Sequence, residues 1–250
     1  MQIYNNIVEA KKAGKKKFAV LLDPDKLKIR DIDKIITLAI NAHVDYFFIG
    51  GSLIVNNMLD ELLTLVRKQC DIPLVLFPGN SFQLSYKADA LLFLSLISGR
   101  NAELLIGKHV ITAPYLKVSP LEVISTGYML IDGGIPTTVS YMSNTIPIPQ
   151  NKKDVAVCTA LAGEMLGLKL MYMDAGSGAQ IPISSELIRE VSDSIEVPLI
   201  IGGGIKTPEK ARENVENGAD VIVIGNAIEK DPMLITDMSI AIHSYQKTQA

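Results

Sequence analysis

Short apolar runs alternate along this chain with longer segments in which apolar residues recur at helical spacing. Within the runs almost every position is apolar, which is typical of strands buried on both faces of a parallel sheet. A parallel sheet requires a crossover, usually a helix, between consecutive strands. Eight runs predict eight strands, at Phe18–Asp23, Tyr46–Gly51, Pro73–Phe77, Ala90–Ile97, Gly127–Ile131, Leu168–Met173, Pro198–Ile201 and Val221–Ile224.

The segments between these strands predict the helices. Ser184 and Thr207 are suitable N-caps, and Pro208 suits the first helical position after Thr207. The alternation lapses after the third strand, where residues 80–88 are too short and mixed for a regular helix and predict at most an irregular one. The helical pattern covers residues 2–14, 30–41, 54–69, 102–110, 152–166 and 232–245, together with segments that follow Ser184 and Thr207.

Eight strands alternating with helices predict a (β/α)8 TIM barrel. The 250 residues are the usual size of one such barrel, so we expect a single domain over residues 1–250. An apolar content of 48% with only 6% aromatic residues agrees with a large aliphatic core. Residues 132–149 form a longer connection than usual and predict a substrate-covering loop that carries Tyr141, Ser143 and Asn144.

Charge and cysteine content narrow the class of protein. A formal charge of −3 provides no general basic field, so we expect no nucleic-acid partner. The lysine-rich segment 11–17 is interpreted as a solvated face rather than a membrane-binding surface. Cys70 and Cys158 lack metal-ligand spacing and are expected to be inert core thiols, and no apolar run is long enough for a membrane span. These features favour a soluble, cytoplasmic protein.

Glycine follows the last three predicted strands. Gly202-Gly-Gly204 ends the seventh strand, Gly225-Asn226 the eighth, and Gly176-Ser-Gly178 follows the sixth. Glycines allow backbone N–H groups to approach a phosphate closely, and a following helix adds its positive end. Tight turns that need a positive φ are the alternative for any single cluster. Because the strands of a barrel end at one mouth, three clusters together favour a phosphate site there.

Asp23 and Ser52 follow neighbouring predicted strands and indicate a different chemistry. A carboxylate and a hydroxyl can bind Mg²⁺, which takes one or two protein ligands and completes its octahedron with phosphate and water. The residues alone leave open whether Asp23 binds metal or caps the following turn, whereas Asp25 is interpreted as a turn residue. His43, His109 and His243 fall in helical patterns on the outer layer. No Ser/His/Asp set or cysteine nucleophile stands at a strand end, which argues against covalent catalysis.

Seven segments in order along the chain resemble the geranylgeranylglyceryl phosphate synthase family, in particular its second group. The glycine clusters alone would be common to many phosphate-binding barrels. The Phe-Leu-Ser-Leu-Ile-Ser-Gly-Arg-Asn and Asp-Gly-Gly-Ile-Pro-Thr-Thr stretches are far more specific. The segments are Leu22–Lys26, Phe48–Ser52, Asp89–Asn101, Gly127–Thr138, Tyr172–Ala179, Gly202–Lys206 and Gly225–Asn226.

The resemblance implies a prenyltransferase in which the 3-hydroxyl of sn-glycerol 1-phosphate attacks C1 of geranylgeranyl diphosphate. It implies that Asp23 and Ser52 bind Mg²⁺, and that Asp174 and Tyr172 are catalytic. It also implies a homo-oligomer, a dimer or a hexamer, with at most peripheral membrane contact for the lipid product. The glycerol phosphate would be bound by Tyr172, Met173, Asp174, Ala175, Gly176, Ser177, Gly178, Gly203, Gly204, Gly225 and Asn226.

One departure from the family pattern concerns Asp174, where the family usually has glutamate. Direct general-base contact is less secure with the shorter side chain. Leu21, where a heptaprenyl-specific branch has lysine, and the Ala-Gly-Ser-Gly loop favour the geranylgeranyl substrate. Two alternatives remain: a phosphosugar isomerase or aldolase-like barrel with the same phosphate cradle, and a catalytically silent prenyl-lipid-binding barrel.

Overall fold

Eight parallel strands close into a barrel in the computed structural model, which describes residues 2–26, 29–56 and 58–245. Each strand pairs with the next along the chain, and the last pairs with the first, so that Lys17 lies opposite Val221. The predicted TIM-barrel fold is therefore confirmed. The strands are β1 Lys17–Leu22, β2 Tyr46–Ile49, β3 Leu74–Leu76, β4 Ala90–Leu96, β5 Glu122–Leu130, β6 Leu170–Asp174, β7 Leu199–Gly202 and β8 Val221–Ile224.

Helices surround the barrel, and two of them begin at the predicted caps. The Ser184 hydroxyl accepts a hydrogen bond from the Leu187 N–H, and the Thr207 hydroxyl accepts one from the Lys210 N–H. The helices are α1 Ile3–Lys12, α2 Ile29–Asn41, α3 Leu59–Arg67, α4 Lys108–Lys117, α5 Thr138–Ser143, α6 Lys153–Met165, α7 Ser185–Ser194, α8 Pro208–Glu216, α9 Asn226–Lys230 and α10 Leu234–His243.

Alternate residues of each strand face the barrel interior and the surrounding helices, giving two apolar layers. Phe48 and Leu92 belong to the inner layer, whereas Phe47 and Leu91 pack in the outer one. The inner layer also receives Ile3 and Ile7 of α1. Glu122 at the start of β5 accepts hydrogen bonds from the first N–H groups of α1, so this helix lies at the amino-terminal end of the barrel. The opposite end stays open.

The connection between β3 and β4 contains no helix. Residues 77–89 are all described, so the predicted lapse is confirmed and the irregular helix is wrong. Gln83 supplies the connection's hydrogen bonds with its side chain: its carbonyl accepts from the Gly79 N–H at 3.0 Å and its amide donates to the Gly51 carbonyl at 2.9 Å. The Gln83 side chain thus makes hydrogen bonds with backbone groups that a helical turn would otherwise satisfy.

Other predicted boundaries needed correction. The loop 132–149 contains α5, which a reciprocal capping box between Thr137 and Ser140 starts. The fourth crossover helix runs beyond residue 110 to Lys117 and is preceded by a π-helical turn, Glu103–Gly107. Strand β5 begins five residues before its predicted start. The prediction missed these residues because several of them have polar side chains, which interrupt the apolar run. Helix α9 was not predicted.

Two expectations about side chains also differ. Cys158 is exposed on α6, so the prediction of a core thiol is wrong for it, while Cys70 is half-buried. His43 lies in the turn after α2, with a φ of 54°, rather than within a helix, whereas His109 lies on α4 as predicted and is buried there. Among the helices of the described ranges, none combines the length and apolar character that a membrane crossing requires.

Candidate active site

A cavity of about 420 Å³ opens at the carboxyl ends of the strands. Of the residues predicted for the site, only Met173 and Ala175 do not line it. The Met173 side chain lies in the outer apolar layer, since neighbouring residues of a strand face opposite sides. The predicted residues that line the cavity are Asp23, Ser52, Tyr172, Asp174, Gly176, Ser177, Gly178, Gly203, Gly204, Gly225 and Asn226.

Two glycine turns meet to form one wall of the cavity. Gly203 has a φ of 80°, and a Cβ atom on it would lie 2.5 Å from Asp174 Oδ1 and 2.7 Å from the backbone nitrogen of Gly176. No side chain fits there, so the backbones of the turns after β6 and β7 approach each other directly. Helix α8 begins only at Pro208, and α9 has five residues, so the turns rather than helix ends form this wall.

Asp174 is buried at the end of β6, and both of its carboxylate oxygens accept hydrogen bonds. The Tyr128 hydroxyl donates to Oδ2 at 2.6 Å, and the Gly176 N–H donates to Oδ1 at 2.7 Å. Burial raises the pKa of Asp174 above its usual value, although these two hydrogen bonds oppose the shift. A carboxylate with a raised pKa is a better proton acceptor near neutral pH than an exposed one.

Tyr172 is held by aromatic neighbours. Its ring stacks on Phe77 with 5.0 Å between centroids and meets Tyr128 edge-on at 5.5 Å. Gly202 makes room for its hydroxyl, since a Cβ there would lie 2.5 Å from that oxygen. Burial and the neighbouring Asp174 charge raise the pKa of Tyr172, so its hydroxyl remains protonated and can donate a hydrogen bond.

A polar chain crosses the mouth of the cavity. The Lys26 ammonium lies 3.0 Å from Asp23 Oδ2 and 3.1 Å from the Ser177 hydroxyl. Ser177 in turn donates to Asn226 Oδ1 at 3.0 Å. This chain of polar contacts joins residues that follow β1, β6 and β8, so the Lys26 ammonium connects the two sides of the cavity.

The residues around Asp23 suit a hard cation such as Mg²⁺. The carboxylate is buried, and it already holds a positive charge through Lys26. Gly51 approaches it closely, since a Cβ there would lie 3.0 Å from Asp23 Oδ2, and Ser52 follows directly. Among the described residues, no cluster of three or more histidine, cysteine, aspartate and glutamate side chains is arranged to hold a metal ion.

Lys26, Glu229 and Tyr128 are among the residues of the site that reasoning from the sequence missed. Lys26 and Glu229 line the cavity, and Tyr128 contacts Asp174 from behind it. Burial raises the pKa of Glu229, and the nearby Asp23 adds to the rise while Lys26 opposes it. Lys26 belongs to the Leu22–Lys26 segment and could have been found there. Glu229 lies on the unpredicted α9.

These features place the protein in the class of TIM barrels, with a mouth that combines a glycine-turn wall, a buried carboxylate and an aspartate paired with a lysine. The family model described as the PcrB family matches residues 11–244, and this chain belongs to that family.

Proteins similar to this chain over nearly their whole length agree with that membership. A geranylgeranylglyceryl phosphate synthase from Chitinophaga pinensis is 57% identical, over 97% of this chain and 96% of its own. One from Spirosoma linguale is 50% identical, over 95% and 96%. The crystal structure of (S)-3-O-geranylgeranylglyceryl phosphate synthase from Thermoplasma acidophilum, in complex with substrate sn-glycerol-1-phosphate, has a TM-score of 0.92 and 29% identity, covering 98% of this chain and 100% of that one.

Proposed function

We propose that this protein is a geranylgeranylglyceryl phosphate synthase. The 3-hydroxyl oxygen of sn-glycerol 1-phosphate forms a bond to C1 of geranylgeranyl diphosphate, the bond from C1 to the diphosphate oxygen breaks, and diphosphate leaves. The proton of the hydroxyl passes to the protein. The products are geranylgeranylglyceryl phosphate and diphosphate.

The observation that carries the proposal is one cavity lined by the Asp174 carboxylate, by the glycine turns beside it and by Asp23. Glycine turns suit the phosphate of the acceptor, and an acidic cation site suits the diphosphate of the donor. The similar synthases, one of them crystallised with sn-glycerol-1-phosphate, support this choice of substrates. The Ala-Gly-Ser-Gly loop and Leu21 support a geranylgeranyl rather than a heptaprenyl chain.

Asp174 acts as the general base in this proposal. Its raised pKa makes it a suitable acceptor for the hydroxyl proton, and its two hydrogen bonds fix its orientation. The protonated Tyr172 hydroxyl donates a hydrogen bond to the acceptor substrate. The backbone at residues 176–178, together with Gly203, Gly204, Gly225 and Asn226, positions the phosphate, so that much of the rate comes from orientation.

Asp23 and Ser52 would hold Mg²⁺, with Lys26 released from Asp23 to face the diphosphate. When bound, the ion supplies positive charge that stabilises the departing diphosphate. Lys26 can add a second positive charge because its stem is flexible and its ammonium already lies at this carboxylate.

The homo-oligomer expected from the resemblance is supported by an exposed apolar face on α4. Val110, Ile111, Tyr115 and Val118 are each more than half exposed on this helix and its end. Contiguous exposed apolar side chains are unusual on monomers. A dimer or a hexamer, measured by light scattering after gel filtration, is the expected state, and a monomer at micromolar concentration contradicts it.

The activity is tested by incubating the purified protein with labelled sn-glycerol 1-phosphate, geranylgeranyl diphosphate and Mg²⁺. We expect a labelled ether lipid that requires the metal and is lost with a chelator. The enantiomer, sn-glycerol 3-phosphate, is the matched control substrate. Absence of an ether product across prenyl lengths would contradict the proposal and leave the two alternatives, the phosphosugar isomerase or aldolase-like barrel and the catalytically silent prenyl-lipid-binding barrel.

A further inference from the structure

Tyr128 touches the proposed base without touching the cavity. It lies on β5 with 6% of its surface exposed, and it is absent from the described residues that line the cavity. Its hydroxyl donates to Asp174 Oδ2 at 2.6 Å. A buried tyrosine hydroxyl needs a hydrogen-bond partner, and here the partner is the proposed base itself.

The position of the Tyr128 ring is fixed by its neighbours. Its ring lies 5.5 Å from that of Tyr172 and 6.0 Å from that of Phe77. In the ladder between β5 and β6, Tyr128 is opposite Tyr172, and Leu130 is opposite Asp174. The hydroxyl therefore reaches the carboxylate diagonally, from two residue pairs further down the barrel, and has little freedom to point elsewhere.

The two oxygens of Asp174 have different surroundings. Oδ2 accepts from the Tyr128 hydroxyl, which does not line the cavity, whereas Oδ1 accepts from the Gly176 N–H and lies against Gly203, and both of these glycines line the cavity. Without the Tyr128 hydroxyl the buried Oδ2 would lose its partner, which costs more for a charged oxygen than for a neutral one. The carboxylate would then either rotate or take up a proton.

We propose that Tyr128 is a positioning residue for the reaction: its hydroxyl anchors Oδ2 of Asp174 so that the other oxygen is presented, ionised, to the acceptor hydroxyl. The inference rests on the proposed function, because it assigns Asp174 the role of base. It also concerns the length of the side chain at position 174. An aspartate carboxylate at the end of β6 is already within hydrogen-bond distance of the Tyr128 hydroxyl.

The groups that set the ionisation of Asp174 can be named from each neighbouring element. Tyr128 faces it from β5, and Tyr172 lies beside it on β6. The turn after β6 contributes the Gly176 N–H, and the turn after β7 contributes Gly203, which has no charge. Of these, only the Tyr128 and Gly176 hydrogen bonds favour the charged carboxylate over its neutral form.

The test replaces Tyr128 with phenylalanine, which removes only the hydroxyl. We expect kcat at pH 7 to fall by about 10- to 100-fold while KM for glycerol phosphate changes less than about twofold. The acidic limb of the pH profile of kcat/KM should move to higher pH, because Asp174 loses a hydrogen bond that favours its charged form. Tyr46→Phe is the matched control, since its buried hydroxyl donates to Asn6 at 2.6 Å, on the inner layer of the same barrel, from β2.

A double variant separates positioning from a structural effect. In an Asp174→Asn background, Tyr128→Phe should lower the residual rate by less than about twofold, because the carboxylate it would position is gone. A loss from Tyr128→Phe that is the same in both backgrounds, or equal to that of Tyr46→Phe, would overturn the proposal. So would an unchanged acidic limb.

Two further measurements keep the test decisive. The first is titration of the Asp174 carboxyl carbon by NMR, which needs no turnover. If the wild type forms no ether, the proposed function fails, but the titration still decides whether Tyr128 controls the ionisation of the carboxylate. An equal midpoint in wild type and Tyr128→Phe contradicts that control. If Tyr128→Phe does not fold, 3-fluorotyrosine at position 128 is a more acidic donor and should move the limb to lower pH, and an unmoved limb contradicts the proposal.

Discussion

At the scale of single residues, the site depends on side chains at the ends of the strands and on the absence of a side chain at Gly203. Gly203 lies beside Asp174, and any Cβ there would collide with the carboxylate at 2.5 Å. Asp23 and Lys26 form an ion pair at the same mouth, with 3.0 Å between the Lys26 ammonium and Asp23 Oδ2. The residue scale therefore gives the most direct tests of which group does which part of the chemistry.

Replacing Asp23 with asparagine removes one negative charge and keeps the size of the side chain. We expect turnover to fall by at least about 100-fold, because neither Mg²⁺ nor Lys26 retains its anionic partner. The melting temperature should stay within a few degrees of the wild type, roughly the effect of a single site-specific change. Steady-state kinetics across a Mg²⁺ titration, with circular dichroism as the folding control, provides the measurement. Unchanged kinetics would remove Asp23 from the site.

Replacing Asp174 with glutamate adds one methylene to the proposed base. The family pattern alone favours retained activity, whereas the two hydrogen bonds that fit the shorter carboxylate favour a loss. We expect kcat to fall by about tenfold, because the longer side chain moves its oxygens away from Tyr128 and the Gly176 N–H. A variant as active as the wild type would show that glutamate can use the same surroundings.

Replacing Gly203 with alanine introduces the missing Cβ at a φ of 80°. We expect KM for glycerol phosphate to rise by at least about tenfold, and stability to fall by about 1–3 kcal/mol from the strained backbone. Gly218→Ala is the control, because it also has a positive φ but its Cβ would meet Ser192 instead of the cavity. The control should lose stability and keep its KM. Equal KM values in both variants would contradict a role for Gly203 in binding.

Much of the site could be predicted from sequence because its residues follow strands directly. The glycines, Asp23 and Ser52 stand where an apolar run ends, and a barrel brings all such positions to one mouth. Tyr128 could not be assigned in the same way, since within an apolar run it resembles any core aromatic residue. Only the partner of its hydroxyl distinguishes it, and that partner belongs to a different strand.

At the scale of elements, α5 is the part of the long connection that stays close to the cavity. Thr138 lines the cavity, and Thr137 lies against Gly176, where a Cβ would be 2.8 Å from its hydroxyl. The capping box of Thr137 and Ser140 starts a helix of only six residues. A helix this short is marginal by itself, so its caps and its contact with the glycine turn must hold it in place.

Replacing Thr137 with alanine removes the cap of α5. We expect the local stability of the helix to fall by about 1 kcal/mol, which corresponds to about fivefold faster exchange of the Tyr141 amide hydrogen. That amide donates to the Thr137 carbonyl at 3.1 Å and so reports on the helix directly. Thr159→Ala on α6, where the hydroxyl only bonds back to the Val155 carbonyl, is the control. Slow exchange in Thr137→Ala would show that other contacts hold α5.

The elements also show where periodicity fails as a guide. The apolar runs locate all eight strands, but β5 extends over polar residues such as Glu122, whose role is to hold the start of α1 rather than to fill a core. The absence of a regular helix after β3 could be predicted from the sequence. The role of the Gln83 side chain in this connection could not, because Gln83 bonds to a turn that is distant in the chain.

At the scale of the whole molecule, a polar junction at the amino-terminal end of the barrel joins parts that are far apart in sequence. Asp45 accepts hydrogen bonds from the Lys17 ammonium and the Phe18 N–H, each at 2.8 Å, and the His243 ring lies at 2.8 Å from it. Burial raises the pKa of Asp45, but these contacts outweigh it, and the pKa lies below its usual value. The junction connects β1, β2 and the last helix.

This junction should make stability depend on pH. Because the pKa of Asp45 is lower in the folded than in the unfolded protein, its contribution is fully present above the unfolded value, about 3.9, and is lost as the pH falls through the folded value. Denaturant unfolding between pH 6 and pH 3 is the measurement. Asp45→Asn should be less stable at pH 6 and should lose less stability on acidification. A variant with the same slope as the wild type would contradict the assignment.

The pairing of β1 with β8 has a consequence for how the molecule is assembled. Residues 17–20 must find residues 221–224, so this ladder closes a loop of about two hundred residues and is expected to form late in folding. Until then both strands present bare edges that can pair with other chains. Gly225 and Asn226 follow β8 directly and complete the cavity wall. A chain in which β1 and β8 have not yet paired therefore lacks part of its substrate site. Substrate binding should then favour closure of the barrel and stabilise the folded protein.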